Sequence, residues 1–299
     1  MKKIVLFTLV ACFSLALAAC GGGTEQEAER PASAEELAAA GYEADQAGDY
    51  EKALEYYCLA ADQGLDYAQF NAGVSYYQGQ GAEQSYEKAR EYWELAADQG
   101  FALAEYSLGL LYYYGNGVEQ SYERAREYYQ LAAEHGYADA YYSLGLLYEF
   151  GFGVDQSYEK AFEYYQLAAE QGQAMAINNL GDLYEKGHGV EQSYEKAREY
   201  YQRAADLGEP YGFIGLGDLY RAGNGVEQSY EKALAYYRQS ADLGSDAGNL
   251  RLGELYENGE GVEQSYEKAA EYYRLAIEQG NEAASEHLNK LKNEGHISE

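Results

Sequence analysis

Apolar residues recur along this chain at spacings of three and four positions, in blocks separated by short glycine-containing stretches. In the block 101–136, the apolar positions between 102 and 112 follow a helical period and predict a first α-helix. Ala125, Tyr129 and Ala132 lie at i, i+4 and i+7, so they predict a second helix with one apolar stripe. The pattern therefore predicts a helical hairpin, with no segment of strand-like alternation.

The hairpin pattern repeats with a period of 36 residues. The segment Glu-Gln-Ser-Tyr-Glu-Lys-Ala returns almost unchanged, with its tyrosines at Tyr86, Tyr122, Tyr158, Tyr194, Tyr230 and Tyr266. A fixed period of this size is typical of stacked supersecondary units that bury their apolar faces against their neighbours. Such a stack offers an extended surface for partners and seldom encloses a deep catalytic pocket.

Local signals mark where each helix should begin and end. Gly115-Asn116-Gly117 predicts the end of a first helix, and Ser121 predicts the N-cap of the second. Glycine also recurs in the middle of each first helix, where it costs about 1 kcal/mol against alanine. We expect a close helix–helix approach at these glycines, which are Gly73, Gly109, Gly145, Gly181, Gly217 and Gly253.

The repeated motif is Ala-x-x-x-Leu-Gly-x-Leu-Tyr, then Gly-x-Gly-Val, then Ser-Tyr-Glu-Lys-Ala and Tyr-Tyr-x-Leu-Ala-Ala. It resembles the Sel-one-like repeat, a relative of the tetratricopeptide repeat, over residues 65–280. The family often has Asp at the helix start where this chain has Ser, and both residues cap helices well. The resemblance implies an all-α fold, an α/α right-handed superhelical solenoid of helical hairpins. It also implies an adaptor or scaffold that gathers protein partners.

The chain is predicted to divide into five segments: a signal peptide at 1–19, a flexible tether at 20–32, an N-terminal capping hairpin at 33–64, six repeats at 65–280 and a C-terminal capping helix at 281–299. Ser33 with Glu36 predicts a capping box at the start of the first hairpin. In the last helix, Leu288 and Leu291 are expected to face inward.

The N-terminus has the pattern of a bacterial export signal, with Lys2 and Lys3 before an apolar stretch at 4–17. It ends in Leu-Ala-Ala-Cys at Cys20, which resembles the lipobox of bacterial lipoproteins. The alternatives are an ordinary cleaved signal or an uncleaved anchor. The resemblance implies lipidation of Cys20 and attachment to the bacterial cell envelope. Gly21 after the cysteine favours the outer membrane if the cell is Gram-negative.

Composition narrows the function classes. Lys and Arg number 21 against 51 Asp and Glu, a formal net charge of −30. This surface repels nucleic acid, whose binding depends on basic side chains, and it favours basic or neutral partners. The alternative is that the charge only keeps a tyrosine-rich stack from aggregating. The four histidines are scattered and no cysteines cluster, so neither a metal site nor a cofactor is predicted. Cys58 is expected on an exposed face without a disulfide partner.

By resemblance to tetratricopeptide-like stacks, the concave wall comes from the first helix of each hairpin. Its predicted partner-binding residues in the N-terminal half are Tyr67, Phe70, Tyr77, Tyr106, Tyr113, Tyr114, Tyr142 and Phe150. The C-terminal half supplies Met175, Asn178, Asp182, Glu185, Tyr211, Ile214, Asp218, Leu250, Glu254 and Glu257. We hypothesise a groove that binds a polypeptide with an apolar segment beside a basic one. The alternative is that the rings pack on one another.

Ser85-Tyr86-Glu87-Lys88 matches the Ser-x-x-Lys pattern of penicillin-recognising enzymes. The pattern recurs in other units, no Ser-Asp-Asn or Lys-Thr-Gly segment accompanies it, and each serine is already accounted for as a helix cap. No catalytic residue is therefore predicted. The alternative function is an enzyme or enzyme regulator at the cell wall, β-lactamase-like or hydrolase-associated, and a third is a surface factor that acts on a host.

Overall fold

The computed structural model describes residues 32–298, which form 15 α-helices and contain no β-strand. The predicted signal peptide, Cys20 and the tether as far as residue 31 lie outside the described residues. The helices are α1 (Ala34–Gln46), α2 (Tyr50–Ala61), α3 (Asp66–Gln78), α4 (Tyr86–Ala97), α5 (Ala102–Tyr114), α6 (Tyr122–Glu134), α7 (Ala138–Phe150), α8 (Tyr158–Glu170), α9 (Ala174–Lys186), α10 (Tyr194–Asp206), α11 (Pro210–Ala222), α12 (Tyr230–Asp242), α13 (Asp246–Asn258), α14 (Tyr266–Glu278) and α15 (Ala283–Asn293).

The helices pack as a serial stack, and each one contacts mainly the helices before and after it in the chain. First helices of successive hairpins also meet in the C-terminal half, where α11 lies between α9 and α13. The buried side chains form a chain of small clusters along the stack, with no single central core among the described residues. The predicted all-α solenoid of helical hairpins is confirmed.

The helix ends follow the local sequence. The Ser121 hydroxyl accepts the backbone N–H of Arg124 at 3.2 Å and caps α6, and serine caps the equivalent helices in the same way. At the other end of the hairpin, Gly115 adopts φ +72°, a left-handed conformation that glycine enters without a steric penalty. Both predicted signals are confirmed.

An aromatic ring from each second helix, a tyrosine in every hairpin except that of Trp93, packs on the mid-helix glycine of the first helix. Tyr165 is fully buried, and a Cβ added at Gly145 would lie only 2.3 Å from its Cε1 atom. The same pair occurs as Gly109 with Tyr129 and, in the first repeat, as Gly73 with Trp93. The predicted close approach is confirmed, and its cause is the ring that occupies the space of a side chain.

The outer layer repeats a three-part stack. In the six repeats from 65 to 280, a tyrosine near the end of the first helix stacks on a tyrosine of the second helix, with ring centroids 5.5–5.8 Å apart. A Lys or Arg from the first turn of the second helix lies 4.7–5.2 Å from the centroid of the same ring. This cation–π contact explains why the basic residue of the motif recurs in every unit.

The two ends match the predicted signals. The Ser33 and Glu36 side chains each accept a backbone N–H of the other residue, which forms the capping box. At the other end, Leu288 and Leu291 are buried. Cys58 differs from the expectation of an exposed thiol, because it is half-buried and its Sγ lies 3.4 Å from the hydroxyl of Tyr92, which donates to it.

Candidate functional site

The aromatic positions predicted for the N-terminal half have unequal exposure. Tyr114 and Phe150 are each 56% exposed. Tyr67, Tyr77, Tyr106, Tyr113 and Tyr142 are half-buried, and Phe70 is buried. Only the first two therefore present most of a ring to solvent.

The two exposed rings belong to one continuous cluster, which we call the aromatic patch (Tyr113, Tyr114, Tyr122, Phe150 and Phe152). Ring centroids are 4.9 Å apart for Tyr113 and Tyr114, 5.1 Å for Tyr122 and Phe152, and 5.7 Å for Phe150 and Phe152. Phe152 was not among the predicted residues, although the sequence contains a signal for it. Its position in the Gly-x-Gly turn is polar in every other repeat, as Gln80, Asn116, His188, Asn224 and Glu260 show.

Two of the remaining predicted rings, Tyr106 and Phe70, pack against rings inside the stack. Tyr106 packs on Tyr129 and Tyr137, with centroid distances of 5.4 and 4.9 Å, and burial raises its pKa to about 12. Phe70 lies against the rings of Trp93 and Phe101. For these positions the structure matches the alternative interpretation, ring-on-ring packing. A position on the concave wall did not guarantee exposure of its side chain, because a residue of the neighbouring repeat covers each of these two rings.

In the C-terminal half, the acidic residues of the first helices hold the buried tyrosines. The hydroxyl of Tyr237 donates to Asp218 at 2.6 Å and that of Tyr273 donates to Glu257 at 2.6 Å. These carboxylates therefore have a structural role that sequence reasoning did not find. The signal was present, because Asp182 and Asp218, and likewise Glu185 and Glu257, stand at equivalent positions of the C-terminal first helices.

A cavity of about 580 Å³ opens between α9, α11 and α13, within the size range of ligand sites. Seven residues of its lining were predicted from their register, namely Asn178, Asp182, Glu185, Tyr211, Ile214, Asp218 and Leu250. Lys186, which also lines it, is the equivalent of Phe150 one repeat earlier. The cavity and the aromatic patch therefore lie along the same row of the stack.

A network of ion pairs borders this cavity. Arg221 contacts Glu254 and Glu260 at 2.6 Å each, and Arg251 contacts Asp218 at 3.2 Å and Glu254 at 3.1 Å. Asp218 and Glu254 were predicted from their register, and the two arginines were not. Asp218 and Glu254 therefore each pair with an arginine of a neighbouring repeat.

Burial raises the pKa of both Asp182 and Glu185, because the concave wall removes water that would solvate their charge. The Asp182 side chain keeps 37% of its surface exposed, so it remains accessible from the cavity. A carboxyl group whose ionised form is disfavoured by burial, but which is still accessible, is stabilised by a partner that supplies a positive charge or a proton.

Other chemistries have little support in the part of the chain described. Between residues 32 and 298, no group of three His, Cys, Asp or Glu side chains is arranged to hold a metal ion. Within the same range, no helix is both long enough and apolar enough to cross a bilayer. In the Ser-x-x-Lys segments, Ser85 caps a helix and Lys88 lies over the ring of Tyr76, so both side chains are explained by packing.

The chain is similar to known repeat proteins. The profile of the Sel1 repeat matches residues 33–65, 66–101, 102–137, 138–173, 174–209, 214–245 and 247–281. No curated protein matches the chain in sequence.

Among solved structures, c5321, a protective antigen present in uropathogenic Escherichia coli strains, is 34% identical with a TM-score of 0.72. The match covers 88% of this chain and 57% of that chain, so this chain spans little more than half the length of c5321. A Sel1 repeat protein from Oxalobacter formigenes is 32% identical with a TM-score of 0.75, over 80% of this chain and 96% of that one.

Yeast Tom70, at 13% identity and a TM-score of 0.51 over 92% of this chain and 67% of its own, shares the fold alone. Sel1 and related tetratricopeptide-like repeats generally mediate protein–protein interactions and are not typically enzymatic. With seven matched repeats and two solved relatives above 30% identity, this chain belongs to the Sel1 repeat family.

Proposed function

We propose that this protein is a non-enzymatic adaptor that binds a polypeptide along the row formed by its first helices. The observation that supports it most is the placement of an exposed aromatic patch and an acidic cavity on one row of the stack. The bound polypeptide has an apolar segment over Tyr114 and Phe150 and a basic segment at Asp182 and Glu185. Exposed rings of this kind are frequent anchors of protein interfaces.

Charge supports a basic partner segment. The protein carries a formal charge of −30, and the cavity adds two carboxylates whose ionised state is disfavoured by burial. A positive segment gains attraction to the whole surface during approach and to these two groups on docking. Nucleic acid is excluded as a partner by the same charge.

We further propose that the adaptor works at the bacterial cell envelope, held by lipid on Cys20. The Leu-Ala-Ala-Cys segment supports this proposal, and Gly21 favours the outer membrane in a Gram-negative cell. Metabolic labelling with an alkyne-bearing palmitate, compared between the wild type and Cys20→Ala, tests it. Label on the wild type only is expected, and equal label on both proteins would contradict it.

Selection of a random peptide library against the purified protein tests the binding proposal. We expect enriched peptides to carry an apolar block beside Lys or Arg. Binding of these peptides should fall in a Tyr114→Ala/Phe150→Ala variant, which loses the two most exposed rings of the patch.

The matched control is Leu95→Ala/Leu131→Ala, which removes two exposed apolar side chains (50% and 42%) from second helices. This variant should bind as the wild type does. Equal binding by all three proteins, or enrichment of acidic peptides, would contradict the proposed function.

A further inference from the structure

The buried tyrosine of the fourth repeat is held differently from its equivalents. The Tyr201 oxygen lies 2.6 Å from Asp182 Oδ1 and also 2.6 Å from Glu185 Oε2. In the two following repeats, the Tyr237 and Tyr273 hydroxyls each contact one carboxylate. A phenol has one proton to donate. When both carboxyl groups are ionised, one of them therefore faces the phenol oxygen with no proton between the two oxygens.

A second polar group at the same cavity lacks a donor. Asn178 lines the cavity, is 8% exposed, and its Oδ1 atom accepts no hydrogen bond from residues 32–298. An unsatisfied buried acceptor costs about 1–3 kcal/mol, so such groups are uncommon in folded proteins. Two acceptors short of donors thus belong to residues that line one cavity.

The cavity depends on one residue that differs from its equivalents. Gly215 stands where the other repeats have Asn71, Ser107, Ser143, Asn179 and Arg251. A Cβ at Gly215 would lie 2.6 Å from ring atoms of Tyr201, so the bare glycine lets the ring form the floor. Ile214 and Leu250 add apolar wall, and Tyr211, 49% exposed, borders the opening.

The basic residues near the cavity do not supply the missing hydrogen-bond donors. Arg251 is bound to Asp218 and Glu254. Lys186 is 53% exposed and its Nζ lies 3.9 Å from Asp182 Oδ2, at the limit of an ion pair. Glu185 forms no ion pair with any residue between 32 and 298.

We propose that this cavity binds a lysine side chain of the partner polypeptide, its alkyl stem along Ile214 and Leu250 and its ammonium among Asp182, Glu185 and Asn178. An ammonium has three donors, which matches three acceptors. A flexible stem of four carbons fits an apolar wall that leads to a polar end. This inference rests on the proposed protein-binding function and names the side chain that its acidic half recognises.

Titration of the protein with Nα-acetyl-lysine amide, followed by NMR, tests the inference. The uncharged Nα-acetyl-norleucine amide has a similar stem and is the control ligand. We expect saturable shifts at the Asn178 amide and the Ile214 and Leu250 methyl groups with lysine only. An arginine derivative that binds in place of lysine, or a norleucine derivative that binds as well, would overturn the assignment.

The test variant is Asp182→Asn/Glu185→Gln, and the matched control is Glu191→Gln/Glu227→Gln, which removes two exposed acids of the connecting loops. The first should bind the lysine derivative about tenfold more weakly or worse, as expected for charged hydrogen bonds, while the second binds as the wild type. Retained spectra of the remaining helices show that each variant is folded. Equal affinity in the wild type and the test variant would overturn the inference.

The two proposals fail separately. If the lysine derivative does not bind while selected peptides still require Tyr114 and Phe150, the lysine assignment is wrong and the adaptor function stands. If the selected peptides bind neither at the aromatic patch nor at the acidic cavity, the adaptor function is wrong.

Discussion

Gly145→Ala tests the packing that shapes every hairpin, because two known effects of this substitution change the free energy of unfolding in opposite directions. Alanine is favoured over glycine inside a helix by about 1 kcal/mol. Against this, the new Cβ would lie 2.3 Å from Tyr165 Cε1 and 2.5 Å from Cδ1, whereas carbon atoms in contact are normally about 3.5–4.0 Å apart. The ring must therefore move by more than about 1 Å.

The ring has little room to move. Tyr165 is fully buried and its hydroxyl donates to Glu149 at 2.5 Å. Forced overpacking costs about 1–3 kcal/mol, and a contact this short belongs at the upper end. After the helix-propensity gain, we expect Gly145→Ala to lower the free energy of unfolding by about 1–2 kcal/mol.

Urea unfolding followed by far-UV circular dichroism measures this change. The control repeats the substitution in a Tyr165→Leu background, where the ring is absent and Gly145→Ala should become stabilising. A Gly145→Ala protein that is about 1 kcal/mol more stable than the wild type, as helix propensity alone requires, would refute the packing argument.

Three further predictions concern charge. Burial raises the pKa of Glu185, so the stability that its protonated form contributes is full below about pH 4.5 and is lost as pH rises through the pKa of the folded state. Glu185→Gln should therefore raise the urea midpoint at pH 7 and leave it unchanged at pH 4. The hydrogen bond with buried Glu105, 2.8 Å away, raises the pKa of His135, so that contact stabilises most below about pH 6.5; His135→Gln should reduce the stability difference between pH 6 and pH 8. Lys186→Ala should strengthen binding of Nα-acetyl-lysine amide in NMR titration, because it removes a competing positive charge beside Asp182. An unchanged urea midpoint at pH 7 for Glu185→Gln, an unchanged stability difference for His135→Gln, or an unchanged affinity for Lys186→Ala would contradict the respective prediction, and so would a change of the opposite sign.

Much of the fold could be predicted from the sequence because a solenoid depends on short-range contacts. Helix caps such as Ser121 and turns such as Gly115 are decided within a few residues of the chain. The mid-helix glycines signalled close approach before the partner ring was known. Each repeat also supplies a comparison for every other repeat.

The site was only partly predictable because it depends on how successive repeats pack against one another. The register placed Asp182 and Glu185 together on the wall formed by the first helices, and both line the cavity there. Register could not show that Arg221 and Arg251 would neutralise their neighbours, because those ion pairs join different repeats. It also could not show that Phe70 is covered, because burial at that position depends on the ring of the next repeat.

The most direct test of the account is a double-mutant cycle between the protein and a peptide from the selected library. The peptide and its form with norleucine in place of lysine are titrated calorimetrically into the wild type and into Asp182→Asn/Glu185→Gln. The account predicts that losing the lysine weakens binding to the wild type by about tenfold or more and has no further effect on the variant. Losses that simply add in the doubly changed pair would show that the lysine and these carboxylates do not meet.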